Sequence, residues 1–339
     1  MFIVTLQQVA VLLAFIFIGY FLRKKEIITE SGKKMLAKLL TFLFAPCYSV
    51  VSLSKVVNVN EIAKYGTLLL AGVCVALFCI LVAIPLSKLF YKDQAHRNIL
   101  KYALAIGNIG YFGYPIIYAI YSQIGGVELG NEMRALMMLF CLPMSIAIYT
   151  YGYYVLTVDT SEDAKINART TKEKISFLWS PPMIGLYVGV ALGLLTSATT
   201  FTMPKFIMDG LEIAGNCQSA PAMLLTGAVL AGVPLSKLFT SLKSYIIGIV
   251  KLIAYPAAVM LIFFVINLCG VSGETFVLVF KLSVIVSAMP VGMNVVVFPE
   301  SAGKDSTEGA KSCFISYVLA LVALPAVLTV MDSLVALFV

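Results

Sequence analysis

Charge is scarce in this chain of 339 residues: Asp, Glu, Lys and Arg together make up 12%, about half the share of a soluble domain. Histidine is scarcer still, with His96 alone, and the seven cysteines form no Cys-x-x-Cys pair. The first shortage excludes a soluble enzyme or a nucleic-acid-binding domain, because 60% of the residues are hydrophobic and need lipid as their solvent. The second leaves no His/Cys cluster with ligand spacing, so neither a metal nor a cofactor is expected. The cysteines read as small buried hydrophobes. No paired His or Asp lies within the apolar runs, which excludes an intramembrane enzyme. The one glycine-rich string, Gly107-x-x-Gly110-x-x-Gly113, follows no strand and is no phosphate loop.

What the sequence does have is apolar length. Ten runs separated by charged or Gly/Pro-rich breaks cover about 2–22, 35–54, 65–88, 100–121, 133–157, 176–196, 206–232, 244–268, 275–298 and 311–335. Each is long enough to cross a bilayer as a helix, and no connector is long enough to fold alone. The expected class is an all-α polytopic membrane protein. The first run is a retained span, since Arg23-Lys24-Lys25 follows it where a signal peptide would carry its basic residues in front. With the loop after that run on the cytoplasmic side, 17 of the 24 Lys and Arg fall in inside loops, four fall outside and three lie within spans. That asymmetry predicts both termini outside, and it accounts for the net charge of +7 without a polyanionic partner.

Ten spans divide at the 158–174 loop into a first five-helix repeat, 1–157, and a second, 175–339. An odd number per half inverts the second half, the design of many secondary transporters. Span 4 carries Asn108, Gly110, Gly113 and Pro115, and span 9 carries Pro290, Gly292 and Asn294. Glycine and proline at that density end a helix. Lipid cannot satisfy the freed backbone groups, so such segments must line a cavity or pack inside protein. Two broken helices in equivalent positions point to a binding site at the midplane. Each break starts a half-helix whose N–H groups attract an anion, with Pro115 and Pro290 suited to the first turn. Asn108 and Asn294 add side-chain amides.

These residues resemble the auxin efflux carrier family, which includes the plant PIN auxin exporters and bacterial organic-acid carriers. Asn108, Gly113 and Pro115 are similar to its span-4 signature. Ser180-Pro181-Pro182 is similar to its span-6 start, and Ala288 through Phe298 with Glu300 and Leu324-Pro325 to its last two spans. The resemblance covers nearly the whole chain. It implies spans 4 and 9 crossing at their prolines, elevator-type alternating access, a carboxylate held by Asn108, and a homodimer formed through the first span of each half. Plant members carry a long loop between spans 5 and 6; here it is short.

Other polar residues carry two readings each. Tyr111, Pro46, Gln218 and Ser219 either line the site or pack helices together. Lys251 and Lys281, inside spans 8 and 9, either neutralise an anion or snorkel to the headgroups. Asp209 and Glu212 either hold a coupling ion or face an outer vestibule. The expected function is a secondary carrier of a small organic anion, a mono- or dicarboxylate, in the bacterial cytoplasmic membrane, with the lipid bilayer and the substrate as partners. An anion channel and a membrane sensor are the alternatives; the sequence holds neither a charge ring nor a soluble output domain.

Overall fold

The computed structural model describes residues 2–57, 66–157, 179–234 and 239–338. The 158–174 loop and the Tyr111 side chain lie outside the described residues. Every regular element among them is helical, as the composition predicts, and the single β-bridge is an isolated antiparallel one between Gly107 and Val291.

The chain opens with α1 (Phe2–Lys24) and α2 (Glu30–Lys55), the latter started by the Thr29 side chain, which accepts the Gly32 N–H at 3.1 Å. Next come α3 (Gly66–Phe90) and the short α4 (Gln94–Ala105). Asp93 caps α4 by accepting the His96 N–H at 3.1 Å, and that bond holds its carboxyl below the usual range. After a break come α5 (Tyr114–Phe140) and α6 (Leu142–Thr157), bent 52° from each other. Inside α5 the chain turns at Gly125 and Gly126, where φ of +82° suits only glycine.

The remaining helices are α7 (Pro181–Ala198), α8 (Lys205–Asn216), α9 (Ser219–Leu230), α10 (Leu242–Leu268), α11 (Glu274–Ser287), α12 (Asn294–Ser301) and α13 (Thr307–Phe338). Of the four described π-helical turns, three, Leu40–Phe44, Ile109–Gly113 and Val250–Ala254, end two residues before a proline, at Pro46, Pro115 and Pro256; the fourth, Ile148–Gly152, does not. A proline ring clashes with the carbonyl four residues back, and a widened turn moves that carbonyl aside.

By length and hydropathy, five described helices can cross a membrane: α2, α3, α7, α10 and α13, or six with the bent pair α5 and α6. The sequence reading counted ten. The difference lies largely in the interrupted helices. The 12 residues of α4 rise about 18 Å at 1.5 Å per residue, short of a hydrocarbon core of about 30 Å. The 12-residue α8 and α9, the 14-residue α11 and the eight-residue α12 fall short likewise.

Glycine decides the tightest packing. A Cβ on Gly227 of α9 would lie 1.9 Å from the Ile16 carbonyl of α1, and one on Gly19 of α1 would lie 2.2 Å from the Leu224 carbonyl of α9. On α7, Gly185 and Gly189 meet the α2 backbone at Pro46 and Ser49 in the same way, and Gly193 meets the Val57 carbonyl just past the end of α2. Small residues let backbones approach where lipid supplies no hydrophobic drive. Two close pairs result, α1 with α9 and α2 with α7. α3 also packs on α4, and α10 on α11 and α13.

Candidate functional site

The two broken segments meet. Between α4 and the Ile109–Gly113 turn, and between α11 and α12, the chain is extended, and the two stretches pair antiparallel. The Asn108 N–H donates to the Pro290 carbonyl at 2.8 Å, and the Gly292 N–H donates to the Ile106 carbonyl at 3.1 Å. From α13, the Ser316 hydroxyl accepts the Val291 N–H at 3.1 Å. The close approach needs glycine: a Cβ on Gly107 would lie 2.7 Å from the Met289 Cβ, and one on Gly292 would lie 3.2 Å from the Gly107 carbonyl.

These bonds take up three of the amides that the sequence reading offered to an anion. The N–H groups of Asn108, Val291 and Gly292 are consumed in the crossing itself. Gly110, Met293 and Asn294, which open the two half-helices, line the adjoining cavity. The prolines are also not equivalent. Pro115 is the second residue of α5, in its first turn, with the π-helical turn Ile109–Gly113 just before it. Pro290 sits four residues before α12 in the extended stretch, where its carbonyl accepts from Asn108.

The cavity beside the crossing measures about 60 Å³, room for roughly four or five waters. Asn108, Gly110, Gly292 and Asn294 line it, together with Gln218. Asn108 is 2% exposed, and its side-chain amide donates to the Tyr317 hydroxyl. Tyr317 in turn stands edge-on to Phe112, ring centres 5.8 Å apart. Sequence reasoning missed the hydroxyl wall: Tyr48, Ser49, Ser52, Tyr114, Ser145 and Tyr149 all face the cavity. No spacing signal marks them, because they come from α2, α5 and α6 and converge only in the fold.

Tyr102 and Tyr149 also line the cavity, and both pack on the Phe298 ring, 6.5 and 6.4 Å away between centres, with Tyr153 at 5.1 Å from the same ring. Tyr48, Gly110, Tyr114 and Gln218 are shared with a vestibule of about 660 Å³. Pro115, Ser219, Glu212, Lys55 and Arg134 line that vestibule. Arg134 stacks over the Tyr118 ring at 5.1 Å.

The other candidates divide. Gly113 packs against Met137 and lines neither cavity, and Pro46 is the backbone contact of Gly185. Asp209 is exposed on α8 and lines neither cavity, whereas Glu212 pairs with Lys55 at 2.5 Å in the vestibule wall. That pair is partly exposed, so it is worth under about 1 kcal/mol. Glu212→Gln is therefore expected to leave the unfolding midpoint unchanged; a fall of several degrees would show the pair to be structural. Lys281 faces a separate cavity of about 420 Å³ with Tyr121, Glu274 and Phe338. Lys251 does not reach the headgroups. It is 1% exposed, and its Nζ lies 3.6 Å from where a Gly107 Cβ would be.

Five or six helices long and apolar enough to cross a membrane, with two broken segments meeting beside a cavity, are the features of a membrane transporter. Residues 4–328 match the membrane transport protein family, and the chain belongs to that family, the auxin efflux carriers and their relatives. A relative in Methanocaldococcus jannaschii, "Uncharacterized transporter MJ1031", is 23% identical over 325 residues, covering 95% of this chain and 97% of that protein.

Proposed function

We propose that this transporter is a secondary carrier of a small organic anion, a mono- or dicarboxylate, and that its carboxylate docks at the crossing beside Asn108. The observation that carries the reading is the convergence of two half-helix openings, Gly110 and Met293–Asn294, on one cavity with an asparagine. Each helix N-terminus contributes about half a positive charge, so the two together match one carboxylate. The cavity walls offer hydroxyls and amides but no acid, a lining that favours an anion over a cation.

Ten spans in two inverted repeats accommodate the broken helices, if each pair of halves is one span. In the orientation given by the basic residues, both termini lie outside the cytoplasmic membrane, the vestibule opens outward and the aromatic rings around Phe298 close the inner side. Elevator-type access then moves the crossing against the α1/α9 and α2/α7 pairs, and a homodimer forms through those pairs. Uptake into proteoliposomes across a panel of small carboxylates tests the reading, with proton or sodium gradients imposed. Saturable uptake of one acid class supports it. Passage of every anion without saturation favours a channel, and a ligand that binds without moving favours a sensor.

A further inference from the structure

The cavity that holds Lys281 shares no lining residue with the cavity at the crossing or with the vestibule. It measures about 420 Å³ and is built from α5, α11 and α13, a size that suits a small ligand or a headgroup. Met133, Val277, Leu278 and Phe338 make its walls apolar, and two charges stand among them. Glu274 is exposed in the first turn of α11, and Lys281 follows seven residues later, two turns along the same face. Their Cα atoms are thus roughly 10 Å apart along the helix. Because α11 runs from the exposed turn at 270–273 to the crossing, Glu274 is nearer the water and Lys281 nearer the crossing. Neither forms an ion pair with a described residue. Asp332 of α13 acts on Lys281 and Tyr121 through space but does not line the cavity. Two acids around one lysine disfavour a simple anion and match a group carrying both signs. The surface beside the cavity is apolar and exposed at Ile124, Val271 and Leu337, as a lipid-facing surface is.

We propose that this cavity binds a zwitterionic phospholipid with a primary amine, the headgroup chemistry of phosphatidylethanolamine. The phosphate accepts from the Lys281 ammonium, the amine donates to the Glu274 carboxylate, and an acyl chain lies along Met133, Val277, Leu278 and Phe338. In such a lipid the amine stands on the water side of the phosphate, the same order as Glu274 and Lys281 along α11. Charge-assisted hydrogen bonds need N–H donors, which a primary amine has and a trimethylated choline lacks. An intramembrane lysine is costly without a partner, and the phosphate supplies one. The bound lipid also bridges α5 and α11, which flank the two breaks, on a face away from the vestibule. The inference is independent of which anion is carried.

The test is thermal unfolding of the full-length, delipidated protein in detergent, with phosphatidylethanolamine, phosphatidylcholine or phosphatidylglycerol added at equal mole fraction. A thiol-reactive fluorophore reports the buried Cys141 and Cys313 as they emerge. Phosphatidylethanolamine is expected to raise the wild-type midpoint by several degrees, saturably, and the other two lipids by less. Lys281→Gln should lose that rise. Glu274→Gln should bind phosphatidylethanolamine about tenfold more weakly and respond alike to all three lipids. Equal shifts from the three lipids in the wild type overturn the proposal, and so does a phosphatidylethanolamine rise that survives Lys281→Gln. Glycerophosphoethanolamine, the headgroup without tails, should give no rise; a rise equal to that of the lipid overturns the lipid assignment in favour of a soluble zwitterion. If Lys281→Gln does not accumulate, Glu274→Gln at the exposed end of α11 decides, and the wild-type lipid ranking retained there overturns the proposal.

Discussion

Asn108→Ala is expected to cut carboxylate uptake by about 10- to 100-fold while the protein still folds. Asn108 lies at the crossing with its backbone N–H already committed to Pro290, so the substitution removes the side-chain amide without untying the two stretches. A hydrogen bond to a charged group contributes about 1.5–3 kcal/mol, and each 1.4 kcal/mol is about tenfold in affinity. Folding carries a smaller cost, since the Tyr317 hydroxyl loses its partner in a buried place. Asn108→Asp keeps the shape and adds a negative charge, and it should impair uptake further. Initial rates over a concentration series separate the effects: the loss should fall on apparent affinity. Kinetics like the wild type in both variants would remove Asn108 from the site.

The largest effect on stability is expected at Gly227. Its hydrogen faces the Ile16 carbonyl, and a methyl group there would come within 1.9 Å of that oxygen. Overpacking costs about 1–3 kcal/mol where side chains can shift. Here the obstacle is backbone on both helices, and Gly19 is placed the same way against Leu224. Gly227→Ala should therefore lose most of the monodisperse protein on solubilisation, or lower its unfolding midpoint by many degrees. Gly210→Ala, with nothing within 4 Å of the added carbon, is the matched control and should behave as wild type. Equal stability of the two variants would mean that α1 and α9 are not in backbone contact.

Much of the helical class and both breaks were legible in the sequence, because glycine and proline act locally. The chain leaves the helix at Ile106 to Asn108 and again at Ala288 to Met293, inside the Gly/Pro-rich stretches that the sequence marks. The function class followed from the lack of charge and from the family motifs. The details that failed are those set by tertiary contact. Both prolines were expected in a first helical turn; Pro115 is in the first turn of α5, whereas Pro290 lies outside any helix and supplies a carbonyl to the pairing stretch. Lys251 had two readings because a lysine stem can reach either way, and only the turn that carries it decides the direction. Tyr317, the partner of Asn108, lies 209 residues away and carries no signal of its own.

The central claim is that the cavity at the crossing alternates between the two sides of the membrane as a carrier site. Counterflow tests this most directly. Proteoliposomes are loaded with an unlabelled carboxylate that the protein accepts, and the entry of the labelled acid is followed with no net gradient. A carrier whose site must return loaded or empty should show faster labelled entry than empty vesicles, and Asn108→Ala should abolish the acceleration. Labelled entry that ignores the internal acid and never saturates would contradict the account and make the cavity part of an open pore.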